Sequence, residues 1–212
     1  GLGWASQSVL AEPGGELVAI TGATIFDATG KDPYRGTVVV RGGRIDAVGA
    51  DVKAPKGAKI VRADGKALLP GFIDVHTHDD RALLATPDMA MKVSQGITTV
   101  VTGNCGVSLA PLVLDRAPPP PLDLIGGQGD YRYPSFAAYL NELDAAPAAT
   151  NAACLVGHSS LRVGVMDDLD RPATAREVEA MAPASARRSR PAPSACPPGS
   201  PMRPPPPRPR AR

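Results

Sequence analysis

Two of the chain's three histidines stand two residues apart, at His76 and His78. The residues just before them, 72–75, read Phe-Ile-Asp-Val and are typical of a short buried strand. Because side chains i and i+2 of a strand point to the same side, both imidazoles are expected on one face, close enough to bind one cation. The spacing therefore predicts a metal site. The alternative is a strand end that carries two histidines without a ligand role.

A cysteine follows the next predicted strand along the chain. The β-branched run at residues 97–101 precedes the Gly-Asn-Cys-Gly turn that contains Cys105. Carboxyl ends of neighbouring parallel strands share one rim, so Cys105 is expected beside the histidine pair. Thiolate and imidazole ligands suit zinc, which predicts a Zn²⁺ site at His76, His78 and Cys105. The alternative for Cys105 is a small buried hydrophobic residue.

Strands and helices alternate in the segment from residue 70 to residue 182, and polar residues follow each strand. This alternation predicts an α/β fold of parallel βαβ units, with a site on the carboxyl-terminal rim. The stretch between residues 109 and 133 is predicted to be a loop. The predicted strands are 72–75, 97–101 and 151–156, and the predicted helices are 87–95, 136–143 and 175–181, with N-caps at Thr86, Ser135 and Thr174.

Residues 16–69 are predicted to form a small β domain. Short β-rich runs are separated by turns that contain glycine, and the runs at 37–40 and 44–48 form a hairpin signal. We expect an antiparallel layer that is too thin to be stable alone. Residues 1–15 are assigned to an N-terminal extension.

The charge distribution bounds the kind of partner. Seven of the chain's 23 basic residues lie beyond residue 182, where no acidic residue occurs, so the rest of the chain is acidic. We therefore expect no nucleic acid and no membrane as partner. Three widely spaced cysteines argue against a disulfide framework and favour a cytoplasmic location. The alternative is a cleaved signal peptide before residue 12.

Three sequence motifs resemble those of the N-acyl-D-amino-acid deacylases (D-aminoacylases) of the amidohydrolase superfamily. They are residues 70–78, 96–111 and 155–162, and the similarity extends over about residues 17–181. The resemblance implies the first part of a metal-dependent (β/α)8 (TIM) barrel, preceded by half of a composite β-sandwich. It implies hydrolysis of the amide bond of small N-acyl-D-amino acids through zinc-activated water. A hydantoinase-like amidohydrolase and a non-catalytic remnant remain as alternatives.

The resemblance assigns one group of residues, and the other expectations come from the position of each residue in the sequence. It places His76, His78 and Cys105 at the zinc centre. His158 is expected to anchor a loop, to lie behind the metal ligands, or to be structural. Asp79 and Asp80 are expected to orient the imidazoles or to be solvated. Arg162 is expected to meet a substrate carboxylate or to form a surface salt bridge.

The resemblance further implies metal-binding histidines and a general base from later barrel strands. No histidine follows His158, and no residue of this chain matches the general base, which is expected beyond the chain's end. We therefore expect the chain to be a truncated form that is inactive alone. The oligomeric state is left open.

Residues 183–212 break the pattern of the rest of the chain. They contain eleven prolines and no Leu, Ile, Val, Phe, Tyr or Trp, so they are expected to be disordered. Read one base out of frame, a GC-rich coding sequence for residues 188–204 can encode a peptide similar to the family's sequence after this helix. We hypothesise that the tail is a frameshift product. The alternative is a genuine Pro/Arg interaction tail.

Overall fold

The structure is a computed structural model that describes residues 15–185 of the chain. The chain divides into two compact units, and the boundary falls between Pro70 and Gly71. The predicted N-terminal extension up to residue 14, and the predicted tail from residue 186, lie outside the described residues. Among the helices of the described range, none is both long and apolar enough to span a membrane.

The first unit is a five-stranded sheet with strand order β3-β2-β1-β4, in which β5 also pairs with β1. The chain makes antiparallel pairs from β1 to β2 and from β2 to β3, whereas β4 and β5 run parallel to β1. The prediction of a wholly antiparallel layer was therefore wrong. The connection after β3 carries the chain back to the start of β1, so the next strands run in the same direction as β1. The strands are β1 (Leu17–Ile25), β2 (Tyr34–Arg41), β3 (Arg44–Gly49), β4 (Lys59–Arg62) and β5 (Ala67–Leu68).

Strand β1 is continuous but carries a bulge at Gly22, where its register against β2 shifts. Gly22 has a φ of +80°, and a Cβ there would collide with the Asp64 carboxylate. The chain between β4 and β5 bonds to β1 on either side of this bulge: the Ala63 N–H donates to the Thr21 carbonyl at 2.8 Å. Gly22 thus lets one strand pair with two short strands in succession.

The second unit is an α/β unit built around three parallel strands, β6 (Phe72–Asp74), β7 (Ile97–Thr102) and β10 (Asn151–Cys154). The predicted parallel strand–helix alternation is confirmed. A small antiparallel pair, β8 (Leu112–Val113) with β9 (Arg132–Tyr133), lies between β7 and β10 in the sequence. The helices are α1 (Ala82–Ala85), α2 (Ala90–Val93), α3 (Phe136–Ala145), α4 (His158–Val165) and α5 (Ala175–Ser185).

The helix predicted at residues 87–95 was wrong in its bounds, because α2 covers only Ala90–Val93. Thr86 does not cap it; instead Thr86 is the C-cap of α1, and its hydroxyl donates to the carbonyl of Ala82, the first residue of that helix. Met89 has a left-handed backbone, with φ 44°, and its buried side chain packs with Leu83 and Val100. The burial of Met89 in this cluster outweighs the local capping signal, so the predicted helix is reduced to the single turn of α2.

The segment predicted to be a loop between residues 109 and 133 supplies much of the core of the second unit. The Tyr131 hydroxyl donates to the Leu122 carbonyl, which closes the segment on itself. Ser135 caps α3 as predicted, since its hydroxyl accepts from the Ala138 N–H at 3.2 Å. Helix α4 was not predicted. The buried apolar side chains that the segment contributes are Leu109, Leu112, Leu122, Ile125, Tyr131 and Tyr133.

Helix α5 begins with the predicted capping box. The Glu177 N–H donates to the Thr174 hydroxyl, and the Thr174 N–H donates to the Glu177 carboxylate. The helix continues to Ser185, so its predicted end at residue 181 and the predicted start of disorder at residue 183 were wrong. Pro183 lies within this helix and lacks the backbone N–H that would donate to a carbonyl one turn earlier. Because Pro183 is close to the helix end, the loss of this one hydrogen bond leaves the helical backbone in place.

The pKa of Glu177 provides a test of this helix start. Hydrogen bonds from Arg171, together with those from Thr174, lower the pKa of Glu177 to about 2. Because the folded-state pKa lies below the ordinary 4.5, this carboxylate stabilises the fold above about pH 4.5. That contribution is lost as the pH falls towards 2.

We expect an NMR titration to find Glu177 titrating near pH 2 and Arg171→Ala to move its pKa towards the ordinary value. Arg176→Ala, which removes an arginine from the same helix, is the matched control and leaves the Glu177 titration unchanged. A Glu177 pKa that stays near 2 in Arg171→Ala would contradict the assignment of the shift to Arg171.

Candidate metal centre

The two histidines lie in the loop that follows β6. The strand ends at Asp74, one residue earlier than predicted, and His76 and His78 are both exposed. Thr77 between them is buried, and its N–H donates to the Val101 carbonyl of β7 at 3.1 Å. The side chains of residues 76–78 therefore alternate between exposed and buried, as predicted for a strand, although they follow the end of β6. The two imidazole rings lie edge to face, with their centroids 5.8 Å apart.

Cys105 lies in a tight turn directly after β7. Gly103 has a φ of +79°, and a Cβ at this position would collide with the Leu155 carbonyl oxygen. The Asn104 side chain donates to the Val101 carbonyl at 2.7 Å and to the Thr77 carbonyl at 3.4 Å. Cys105 itself has a left-handed backbone, with φ 53°. Asn104 thus ties the cysteine turn to the histidine loop.

The three predicted ligands come together at this rim. The His76 Nε2 and Cys105 Sγ atoms lie 3.1 Å apart, and one ligand atom from each of His76, His78 and Cys105 lies within 4.8 Å of the others. Ligands of a tetrahedral zinc ion sit at roughly 2.0–2.3 Å from the metal and so about 3.3–3.8 Å from one another. Two imidazoles and a thiol are a donor set that suits zinc, and small rotations of these exposed side chains would bring separations of up to 4.8 Å to that spacing.

A lysine holds the histidine loop at both ends. Lys92 Nζ of α2 lies 2.7 Å from Asp74 Oδ2 and 3.0 Å from Asp79 Oδ2. The hydrogen bond from Lys92 holds the pKa of Asp74 below its usual value. Asp79 therefore neither orients an imidazole nor is freely solvated, as the sequence suggested, because its carboxylate is committed to Lys92.

Asp80 also differs from the prediction, because its side chain is only 1% exposed. The carboxylate accepts a hydrogen bond from the Gly103 N–H at 3.3 Å, and the Tyr139 hydroxyl donates to the Asp80 backbone carbonyl at 2.9 Å. Burial raises the pKa of Asp80 to about 6, against the lowering effect of backbone hydrogen bonds from Gly103 and Leu109. Asp80 faces the cysteine turn, not the imidazoles.

The other two predicted residues lie outside the cluster of three. His158 is the exposed first residue of α4. Arg162 is half-buried, and its guanidinium donates to the carbonyls of Leu169 and Arg171 at 2.9 and 3.0 Å. Arg162 therefore fixes the chain after α4, in place of the substrate contact or surface salt bridge that the sequence suggested.

A pair of buried serines, which the sequence did not single out, joins the turns after β7 and β10. The Ser160 hydroxyl donates to the Ser108 carbonyl at 2.7 Å and accepts from the Ser108 N–H at 2.9 Å. The Ser108 hydroxyl accepts from the Gly157 N–H at 2.9 Å. Their positions in the sequence could have indicated this contact, because both serines follow the carboxyl ends of predicted neighbouring strands.

Gly103 gives a test of how the cysteine turn is held. We expect Gly103→Ala to destabilise the second unit, because the methyl group meets the Leu155 carbonyl in addition to the strain of positive φ. Gly65→Ala is the matched control, since Gly65 has a φ of +72° and open space around it. The control should cost about 1–2 kcal/mol, and Gly103→Ala a further 1–3 kcal/mol or so, in chemical denaturation. Equal losses would show that Leu155 does not constrain the turn.

Comparison with known proteins gives a consistent family. Residues 59–191 match the amidohydrolase family. The N-acyl-D-aspartate deacylase of Alcaligenes xylosoxydans xylosoxydans is 55% identical over 162 residues, which are 76% of this chain and 32% of that protein. A D-aminoacylase structure that addresses the role of a binuclear metal centre is 51% identical, with a TM-score of 0.76, and covers 79% of this chain and 35% of that one.

A second solved structure is the N-acyl-D-glutamate deacylase of Bordetella bronchiseptica in complex with zinc and a phosphonate inhibitor. It is 43% identical, with a TM-score of 0.72, and covers 80% of this chain and 35% of that one. The chain spans about a third of the length of the curated relatives it matches. The family match includes His76, His78 and Cys105. The chain therefore belongs to the amidohydrolase family, and its resemblance to the D-aminoacylases of that family is confirmed.

Proposed function

We propose that this chain supplies part of the active site of a zinc-dependent amidohydrolase that hydrolyses N-acyl-D-amino acids to a carboxylate and a D-amino acid. The observation that carries the proposal is the convergence of His76, His78 and Cys105, with their ligand atoms within 4.8 Å of one another. The substrate class is supported by relatives named for the deacylation of N-acyl-D-aspartate and N-acyl-D-glutamate. Zinc is supported by the donor set and by the zinc-containing deacylase structure.

We further propose that β6, β7 and β10 are the first strands of a (β/α)8 barrel, and that the first unit is half of a composite β-sandwich. The three strands are parallel neighbours in a sheet. The candidate ligands follow the carboxyl ends of β6 and β7, which is where barrel enzymes carry their active sites.

The arrangement suits metal-assisted hydrolysis. Bound to these donors, zinc supplies Lewis-acid polarisation of the amide carbonyl and lowers the pKa of water. Cys105 would bind as the thiolate, and each histidine as a neutral imidazole with one nitrogen towards the metal. Asp79 and Asp80 are committed to Lys92 and to the Gly103 N–H, so neither is assigned as the general base.

Zinc binding is the first test. We expect a competition titration with a chromophoric chelator to give one zinc ion per chain. We expect a large loss of zinc affinity in each of three variants, His76→Ala, His78→Ala and Cys105→Ser. Each loss should exceed the roughly 10–100-fold that is typical when a residue hydrogen-bonded to a metal ligand is removed. His158→Ala is the control histidine variant and should leave the affinity unchanged. Binding that depends on His158 as strongly as on His76 would contradict the assigned ligand set.

Activity is the second test. We expect the chain alone to bind zinc without turnover. It offers two histidines to the metal centre, His76 and His78, whereas the resemblance implies further histidine ligands from later strands. A chimera that carries residues 15–182 in place of the matching third of the N-acyl-D-aspartate deacylase should hydrolyse the D-substrate and not its L-enantiomer. Cys105→Ser in the chimera should abolish this activity. A folded, zinc-loaded chimera without D-selective turnover would reject the proposed function.

A further inference from the structure

A single buried carboxylate connects the histidine loop to the cysteine turn. Asp80 follows His78 by two residues, and its carboxylate accepts the Gly103 N–H at 3.3 Å. The Leu109 backbone N–H also lowers the pKa of this carboxyl. Gly103 lies two residues before Cys105, so this side chain contacts the backbone of the cysteine turn directly.

Asp80 is itself held firmly in place. It is almost wholly buried, and the Tyr139 hydroxyl of α3 donates to its backbone carbonyl at 2.9 Å. Burial of a carboxylate is unfavourable unless hydrogen bonds compensate for the lost water. Here a compensating donor is the backbone N–H of Gly103 in the cysteine turn. The buried position of the Asp80 carboxylate, although unfavourable by itself, is thus the position from which it bonds to the cysteine turn.

The cysteine turn needs such a contact. Cys105 has a left-handed backbone, with φ 53°, which is unfavourable for a residue other than glycine. Its Sγ nevertheless lies 3.1 Å from His76 Nε2. Asn104 makes a second link from the turn to the Val101 and Thr77 carbonyls. Asp80 bonds to Gly103 at the start of the turn from the histidine loop, whereas Asn104 bonds from within the turn.

We propose that Asp80 is a positioning residue of the metal centre, which holds the Cys105 turn at the distance that lets the thiolate share a metal ion with His76 and His78. This inference rests on the zinc centre of the proposed function. Asp80 acts through Cys105 and does not touch the metal. Its effect on metal binding therefore depends on the presence of the thiolate.

A double-mutant cycle on the full chain tests this dependence. We expect Asp80→Ala to weaken Zn²⁺ binding by about 10–100-fold in the parent chain. In the Cys105→Ser background the same change should cost less than about 3-fold, because the thiolate that Asp80 positions is gone. With Co²⁺ as the probe, Asp80→Ala should reduce the thiolate-to-metal charge-transfer absorption.

Two further variants separate positioning from folding. Asp80→Asn keeps the shape and one acceptor oxygen, so its affinity should lie between those of the parent and Asp80→Ala, and it carries the test if Asp80→Ala does not fold. Tyr131→Phe is the matched control, because it removes another buried hydrogen bond of the same unit, the one to the Leu122 carbonyl. Tyr131→Phe should lower the melting temperature of the metal-free chain and leave zinc affinity unchanged.

The outcomes distinguish this inference from the function on which it rests. If the parent chain binds no zinc, the proposed centre and the role of Asp80 are both rejected. If the parent binds zinc and the Asp80 variants lose the same affinity with and without Cys105, the centre stands and the positioning role is overturned. Affinity within about 2-fold of the parent in both Asp80 variants would overturn it as well.

Discussion

The parallel pairing of β6 with β7 is the constraint on which the candidate site depends. Asp74 lies opposite Val100, and the Thr77 N–H extends the pairing by one more bond to the Val101 carbonyl. Because both strands end at the same rim, the loop with the two histidines and the turn with Cys105 leave the sheet side by side. A shift of this register would separate the imidazoles from the thiol by the rise between strand residues.

Buried polar side chains hold the exposed ligands in place. Asp80 and the Ser108–Ser160 pair are all almost inaccessible to solvent, and each bonds to backbone groups of a turn at the carboxyl rim. Lys92 adds an ion pair to each end of the histidine loop. The ligands can therefore be open to solvent without being free to move apart, since their backbone is fixed from beneath. Such support is common at metal centres, where residues that do not bind the metal fix the orientation of the ligands.

The core of the second unit shows how tertiary packing overrides local signals. Residues 109–133 are rich in proline and glycine, and they lack the periodicity of a helix or a long strand. Their scattered leucines and tyrosines are nevertheless buried together with Phe136 and Tyr139 of α3. Met89 behaves similarly, because its burial against Leu83 and Val100 breaks the helix that Thr86 was predicted to cap.

The sequence by itself determined the features that depend on neighbouring residues. These are the parallel strand–helix alternation, the N-caps at Ser135 and Thr174, and the three candidate ligands, whose spacing and position after strands were readable without a structure. Only the tertiary structure decided the direction of β4 and β5 and the roles of Asp79, Asp80 and Arg162. Those outcomes depend on partners far away in the chain, such as Lys92 for Asp79 and Gly103 for Asp80. Which partner a charged side chain meets is set by burial and packing, and its position in the sequence does not encode it.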